Sequence, residues 1–375
     1  MSIPAHGWPT PEPVPPTMRA VAFHEFGGPD VLRVDEVPTP QPGAGEVLIR
    51  IAAVSVGRLL DLVARSGRHP YASFTFPHVL GAEHTGIVAA VGDDVAGFAI
   101  GDRVATFPVL TEPHCPMVAA GFAELSPTAR IIGTHLPGAY ADYIAVPATN
   151  VSTVPDSMSP ADAVALALAG VVAMNQFTRA GLVAGQRVIV QGASSALGST
   201  TALLARHLGA RVIVTSRDEA KRKRLSALGF DAVLQASSTT FAADVRDVFD
   251  GRGADIVVDN LGDQLVWTHG MDALAAGGAM VSSGAFLGRT VAVDLQRLYS
   301  LGQRVIGVRS GNLAAARRLW AEAAAGFRSV VDRTFALTDA AAAHEYVEAS
   351  ANVGRVALLT EPDVTSGNSR EGIRL

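Results

Sequence analysis

The chain has one cysteine, Cys115, in 375 residues. That excludes an intrachain disulfide and any metal site built from several thiolates. Lysine is nearly as scarce: there are two, Lys221 and Lys223, and both fall in the run Lys221–Arg224. The net charge of −5 leaves no basic footprint for nucleic acid. Hydrophobic residues make up 49% of the chain, yet no uninterrupted apolar span is long enough to cross a bilayer. The N-terminus has no apolar h-region, so no secretory signal is expected. These absences imply a cytoplasmic protein with no membrane or nucleic-acid partner. The length and apolar content allow two domains.

What the chain does have is concentrated at Val188–Arg217, VIVQGASSALGSTTALLARHLGARVIVTSR. Val188–Val190 is a buried-strand run, Gly192–Gly198 a turn of small residues, Thr200–His207 a helix, and Arg211–Thr215 a second strand. A helix opening after such a turn aims free N–H groups and its positive dipole end at a phosphate. The turn reads Ala193-x-Ser195-Ala196-x-Gly198, where the common form has three glycines. The strand–turn–helix–strand context therefore carries the dinucleotide reading, not the pattern alone. NAD binders place an Asp or Glu at the end of the second strand, on the ribose 2′-OH. Here Ser216 and Arg217 stand there, with Lys221 and Arg224 on Arg217's face of the next helix. A hydroxyl and cations suit a 2′-phosphate, so NADP(H) is the expected cofactor. The alternative is that Lys221–Arg224 is an ordinary solvated helix face.

Around this unit the pattern divides in two. Ser2–Thr17 holds six prolines and reads as a disordered or draped arm. Short β runs follow: Arg19–Phe23, Leu32–Val37, Glu46–Val54, Val79–Val91, Asp102–Ala105 and Asp142–Val146. Ser159–Ala180 is predicted as one helix, with Ser159 as N-cap and Pro160 at its first position. Strands then alternate with helices: Val188–Val190, Arg211–Thr215, Ala232–Leu234, Asp255–Val258, Ala279–Ser282 and Arg304–Val308. Such alternation predicts a doubly wound parallel sheet. After the helix Asn312–Ala325, the segments Val330–Leu337, Ala340–Ser350 and Arg355–Leu359 return to mixed α and β. The expected fold class is α/β, a Rossmann sheet inserted between two parts of a β-rich domain. The boundaries are 1–17 for the arm, 18–156 and 309–360 for the two parts, 157–308 for the nucleotide domain, and 361–375 for a flexible tail.

From Met18 to Thr360 the sequence resembles the medium-chain dehydrogenase/reductase superfamily. The resemblance rests on MRAVAFHEFGGPDVLRVDEVPTPQPGAGEVLIRI, LGAEHTGIVAAVGDDVAGFAIGDRVA, GAYADYIAVP, the nucleotide unit and VGRVALL. It implies a GroES-like catalytic domain, a Rossmann domain, an active site in the cleft between them, and a homodimer joined at Gln303–Val308. Zinc alcohol dehydrogenases of this superfamily carry Gly-His-Glu-x-x-Gly. Here the motif is Gly81-Ala82-Glu83-His84-Thr85-Gly86, and by register with Asp61 and Ser66-Gly67 the cysteine ligand's place holds Arg58. A catalytic zinc needs about three protein ligands, and neither alanine nor arginine is one. Thr111–His135 looks like the structural-zinc lobe without its metal. His84, on a strand face shared with Ala82, is the one residue that points to a shifted site; packing is its alternative role. No metal is expected, and the chain is similar to the quinone oxidoreductase and enoyl reductase branch.

Hydride delivery to a polarised C=C bond or a quinone does not demand a Lewis acid. A hydrogen-bond donor can hold the developing oxyanion, and a side chain or water can deliver the proton. His69 and Tyr71 are the candidates for that handle, or they simply line the cleft mouth. Arg58 is the third catalytic candidate, or it pairs with Asp61 or Glu83. The expected cofactor contacts are Ala193, Ser195, Ala196, Leu197 and Gly198 at the pyrophosphate, with Ser216, Arg217 and Lys221 at the adenosine end. Gly262, Gly284, Ala285 and Phe286 lie at strand C-termini, and Asn352 and Arg355 match a C-terminal position that often approaches the cofactor. Ala236 replaces a tyrosine that helps hold the 2′-phosphate in several enzymes of the branch. The expected activity is zinc-independent, NADPH-dependent reduction of a quinone or α,β-unsaturated carbonyl. A carbonyl or alcohol oxidoreductase without zinc, and a non-catalytic NADPH-binding scaffold or RNA-binding relative, are the competing readings. Substrate choice is expected to lie in the loops Arg68–Pro77 and Val109–Gly138 and around Phe286.

Overall fold

The computed structural model describes residues 7–112 and 114–361. The start of the proline-rich arm and the tail from 362 onward lie outside the described residues. Contacts divide the chain into two compact units. The first runs to Leu168 and adds Asn312–Gly326 and the segment from Val331; the second is Ala169–Gly311 with Phe327–Val330.

In the first unit, Glu46–Ser55 pairs antiparallel with His84–Val91, Tyr143–Pro147 and the C-terminal strand Arg355–Leu359. It is buried along nearly its whole length, so it reads as a continuous apolar run rather than an alternating one. Its core includes Val21, Ile49, Leu80, Tyr140, Val347 and Leu358. A smaller sheet places Thr17–Phe23 between Leu32–Pro38 and His78–Val79. The described part of the arm is draped on this unit. Trp8 Nε1 donates to the Met158 carbonyl at 2.9 Å, and Arg50 holds both the Thr10 carbonyl and Glu12.

Two sequence expectations need correction here. Val79–Val91 is not one strand but His78–Val79 and His84–Val91, which belong to different sheets. Gly81, at φ +98°, turns the chain between them, so Ala82 lies outside both strands and does not share a strand face with His84. Ser159–Ala180 is likewise two helices, Pro160–Val164 and Ala169–Ala180. Ser159 does cap the first, accepting from the Asp162 amide at 3.1 Å. The break falls where the chain leaves the first unit: Val164 packs with Ala53 and Ala357. For the same reason the first unit extends to Leu168 rather than 156. Phe327–Val330 joins the second unit, where the Ser329 hydroxyl meets that of Thr200 at 2.6 Å.

The second unit is a six-stranded parallel sheet. Its strands are Arg187–Val190, Arg211–Thr215, Ala232–Leu234, Ala254–Val258, Leu274–Ser282 and Arg304–Gly307. In chain order they are arranged 3-2-1-4-5-6. The order reverses between the first and fourth strands, and a dinucleotide lies across such a switch point. Ile189, Ile213, Phe241, Val257, Trp267 and Met280 fill one side.

Candidate functional site

The turn expected to meet a phosphate is built from small residues, and two of its amides are unused among the described residues. Gly192 takes φ +69° and donates to Thr215 Oγ1 at 3.2 Å, and the Ala193 amide donates to the Thr215 carbonyl at 2.9 Å. The helix Ala196–His207 starts at Ser195, whose hydroxyl accepts from the Gly198 amide at 3.0 Å and donates to the Gly192 carbonyl at 3.1 Å. Ser195 thus does what a serine N-cap does and folds its side chain back onto the turn. The Ala196 and Leu197 amides have no acceptor among the described residues, as expected of the first turn of a helix. A Cβ on Gly198 would lie 2.5 Å from the Gly192 carbonyl oxygen, so this helix can approach the strand only with glycine there. Two unbonded amides on a helix N-terminus fit a pyrophosphate.

The end of the second strand is more ordered than its sequence suggests. Ser216 is buried and its amide donates to the Leu234 carbonyl; Arg217 is exposed. Asp218 caps the helix Glu219–Ser226, accepting from the Lys221 amide at 2.8 Å. Arg222 turns back and donates to the carbonyls of Ser216 at 3.0 Å and Arg217 at 2.7 Å. Lys223 instead pairs with Glu219 at 3.2 Å, both largely exposed. The cationic run is therefore neither one binding patch nor one solvated face. Asp218 and Arg222 were not singled out from the sequence. Aspartate just ahead of a helix was a legible cap signal, but nothing local marks which arginine folds inward.

Two further turns meet at the ends of the fourth and fifth strands. Asp259, fully buried, accepts from the Leu261 amide at 2.8 Å and the Gly262 amide at 3.2 Å. Burial raises its pKa, and those two amides oppose the rise. Gly262 takes φ +70°, and a Cβ on it would lie 2.5 Å from the Gly288 carbonyl oxygen. The Leu287 amide donates to the Leu261 carbonyl at 2.7 Å, and Ser282 Oγ donates to the Gly284 carbonyl at 3.0 Å. Gly262 and Gly284–Phe286, singled out separately in the sequence, are thus stitched together.

The first unit holds the remaining predicted residues. Arg58 opens a π-helical turn, Arg58–Val63, and its guanidinium bonds the Val347 carbonyl and, at 3.1 Å, Ser350 Oγ. Burial lowers its pKa. Neither expected carboxylate partner takes it among these bonds. Asp61 is buried and accepts from the Gly57 amide at 2.6 Å and the Gly81 amide at 2.9 Å. Burial raises it to about 7 against the pull of both amides. Glu83 forms a buried ion pair with Arg355 at 2.8 Å. Arg355, expected near the cofactor, is thereby part of the first unit's interior. Asn352 donates to the Gly354 carbonyl at 2.8 Å and shapes its own turn.

His69 and Tyr71 lie edge to face, 4.6 Å between ring centres. Both His69 nitrogens are shielded from solvent and lack a hydrogen-bond partner among the described residues. Burial, then nearby His135, lower its pKa, so the ring is neutral at pH 7. Tyr71 is 58% exposed. Of the two predicted handles, only the tyrosine reaches solvent.

Comparison with known proteins fixes the family. The pattern of the alcohol dehydrogenase GroES-like domain matches residues 43–156, and that of the zinc-binding dehydrogenase family matches 196–327. A NAD-dependent alcohol dehydrogenase of Sulfurisphaera tokodaii is 31% identical over 355 residues, 91% of this chain and 100% of the relative. The chain belongs to the medium-chain dehydrogenase/reductase superfamily. A second superfamily member, the 2-haloacrylate reductase of a Burkholderia species, is 30% identical over 91% of this chain and 99% of its own. The native structure of a mycobacterial quinone oxidoreductase superposes with a TM-score of 0.74 at 30% identity, covering 91% of this chain and 99% of that one.

Zinc, which the matched family's description implies, does not fit the residues of this superfamily member. Ala82 has no ligating atom, and Arg58 brings a cation tied to Val347 and Ser350. His84 Nδ1 sits 3.1 Å from the Ala82 carbonyl, and a carbonyl can only accept, so Nδ1 carries the proton. Burial pushes this ring down to about 4. Among the described residues no three His, Cys, Asp or Glu side chains gather closely enough to hold an ion.

Proposed function

We propose that this oxidoreductase reduces an activated double bond, in an α,β-unsaturated carbonyl or a quinone, using NADPH and no metal. The observation that carries the proposal is the replacement of the metal ligands by Ala82 and Arg58 in a chain that also has a dinucleotide-type turn with the Ala196 and Leu197 amides unbonded among the described residues. When bound, a reduced nicotinamide supplies the hydride. The Ala196 and Leu197 amides bind the pyrophosphate. Ser216 and Arg217, with Lys221 on the following helix, take the 2′-phosphate, since a hydroxyl and a cation, not Asp or Glu, follow directly on the second strand Arg211–Thr215. Tyr71 donates a hydrogen bond to the substrate oxygen as negative charge develops there, and neutral His69 braces its ring.

The similarity to the 2-haloacrylate reductase and the quinone oxidoreductase supports a conjugated acceptor. The relatives named NAD-dependent alcohol dehydrogenases support the competing reading, carbonyl or alcohol chemistry with NAD. A homodimer is proposed as well. The edge strand Arg304–Gly307 leaves Val305 exposed, and the preceding helix Leu295–Ser300 exposes Leu295 and Tyr299. Such apolar edges call for a partner. Among the described residues no helix is long and apolar enough to cross a membrane, and a cytoplasmic location is part of the proposal.

The test is NADPH and NADH oxidation against enones, quinones and aldehydes, by protein purified without an affinity tag and assayed for zinc. The expected result is enone or quinone turnover with NADPH, far less than one zinc per chain, and insensitivity to chelator. Stoichiometric zinc with chelator-sensitive aldehyde turnover overturns the proposal.

A further inference from the structure

The short strands Val109–Leu110 and Arg130–Ile131 pair antiparallel and close the base of a loop in the first unit. Among the described residues between them only Glu124 and Ser126 are buried, and both are polar. The larger apolar side chains of the loop, Met117, Phe122 and Leu125, are exposed. A loop that buries so little apolar area gains little to offset the entropy of ordering it. It also lies in the part of the chain that resembles the structural-zinc lobe. Its one thiol, Cys115, can form neither a disulfide within the chain nor a four-cysteine site.

The two buried side chains act differently. Ser126 stays local: its hydroxyl bonds that of Thr128 at 3.0 Å and accepts from the Thr128 amide at 3.3 Å. Glu124 reaches out of the loop. A buried carboxylate is costly unless its hydrogen bonds are met, and its Oε2 accepts from Asn312 Nδ2 at 2.8 Å. Asn312 is the N-cap of the helix Leu313–Ala324, its Oδ1 accepting from the Ala315 amide at 2.9 Å. That helix buries Ala315, Leu319, Trp320 and Ala323, so it is a firm support. The cap fixes which way the Asn312 amide faces. A flip would set its NH2 group against the Ala315 N–H and its oxygen against the Glu124 carboxylate. We propose that Glu124 and Asn312 are a latch. It takes the ordering role that the resemblance gives to a metal, and when it is broken the loop opens as one piece on its paired base while the rest of the unit stays folded. The proposal concerns the first unit alone and holds whichever cofactor and acceptor the chain uses.

The experiment is native-state hydrogen exchange on the full chain, read at the loop amides of Val118, Ala120, Leu125 and Ser126, each of which donates within the loop. Asn312→Asp keeps an oxygen that caps as well as asparagine does and sets a second carboxylate against Glu124. It is expected to speed exchange of the loop amides by about tenfold or more, the scale of a lost hydrogen bond to a charged group. Amides of Glu46–Ser55 and of Leu313–Ala324 are expected to keep their rates, since the opening is local. Glu124→Gln alone keeps an acceptor for Asn312 and is expected to have the smaller effect. The double variant Glu124→Gln with Asn312→Asp restores an amide facing a carboxylate with the roles exchanged, and is expected to return the loop to within about threefold of the wild-type rates. Should Asn312→Asp fail to fold, Asn312→Ser keeps a capping oxygen and removes the amide nitrogen; the same loosening is expected, without rescue by Glu124→Gln. Unchanged loop exchange in the Asn312 variants overturns the proposal. Equal acceleration across the whole unit also overturns it, since that is general destabilisation. A double variant at least as loose as Asn312→Asp shows that the two side chains do not act as a pair, and overturns it as well.

Discussion

Replacing Asp61 with asparagine tests how burial governs the first unit. The unfolded chain ionises this carboxyl near 3.8, whereas the folded chain holds its proton to about 7. Between those values the folded state binds more protons, so stability falls as pH rises. The contribution is complete below 3.8 and gone above about 7. At about 1.4 kcal/mol per unit of pH, the full span is roughly 4 kcal/mol. An asparagine side chain cannot titrate, so Asp61→Asn supplies the baseline. The melting temperature of the wild type relative to the variant should fall between about pH 4 and pH 8. For a unit of this size about 2–4 °C accompanies each kcal/mol, which makes the fall roughly 10 °C. The assay is paired thermal unfolding across that pH range at fixed ionic strength. A difference that stays flat shows that Asp61 titrates as an exposed carboxyl does. A difference that grows with pH shows that the Gly57 and Gly81 amides outweigh burial. Either result refutes the reasoning.

Other perturbations probe the remaining parts. Arg355→Met leaves Glu83 buried without its cation and should destabilise the fold by about 3–5 kcal/mol, read by denaturant unfolding; adding Glu83→Gln should recover much of that loss. Arg217→Ala should weaken NADPH about tenfold or more and barely touch NADH, because a charge-assisted bond to phosphate contributes roughly 1.5–3 kcal/mol; fluorescence titration of both cofactors checks this. Gly198→Ala should weaken both cofactors equally in the same titration, since its Cβ would lie 2.5 Å from the Gly192 carbonyl oxygen and push the helix off the strand.

The second unit was legible in the sequence because its signals are local. Short β-branched runs at Val188–Val190 and within Arg211–Thr215, with small residues at Gly192–Gly198 between them, read together as a strand–turn–helix–strand unit. The first unit was harder. Gly81 breaks what reads as one strand from Val79 to Val91, and the break shows only once the unit's two sheets are known. Arg58, Glu83 and Arg355 lie far apart in sequence. Which carboxylate meets which arginine is set by tertiary packing, so Glu83 took Arg355 and Arg58 turned to Val347. His69 and Tyr71 looked equivalent as handles, and burial separates them. Glu124 gave no signal at all: within a polar loop a lone glutamate has no meaning until Asn312 arrives beside it.

Where the hydride lands decides between reduction of a conjugated double bond and reduction of a carbonyl. It is read from the position of deuterium in the product after turnover of an enone with NADPH labelled at the transferred hydrogen. Deuterium is expected on the β-carbon of a saturated ketone, with the α-hydrogen drawn from solvent. Deuterium on the carbonyl carbon of an allylic alcohol would contradict the proposed function.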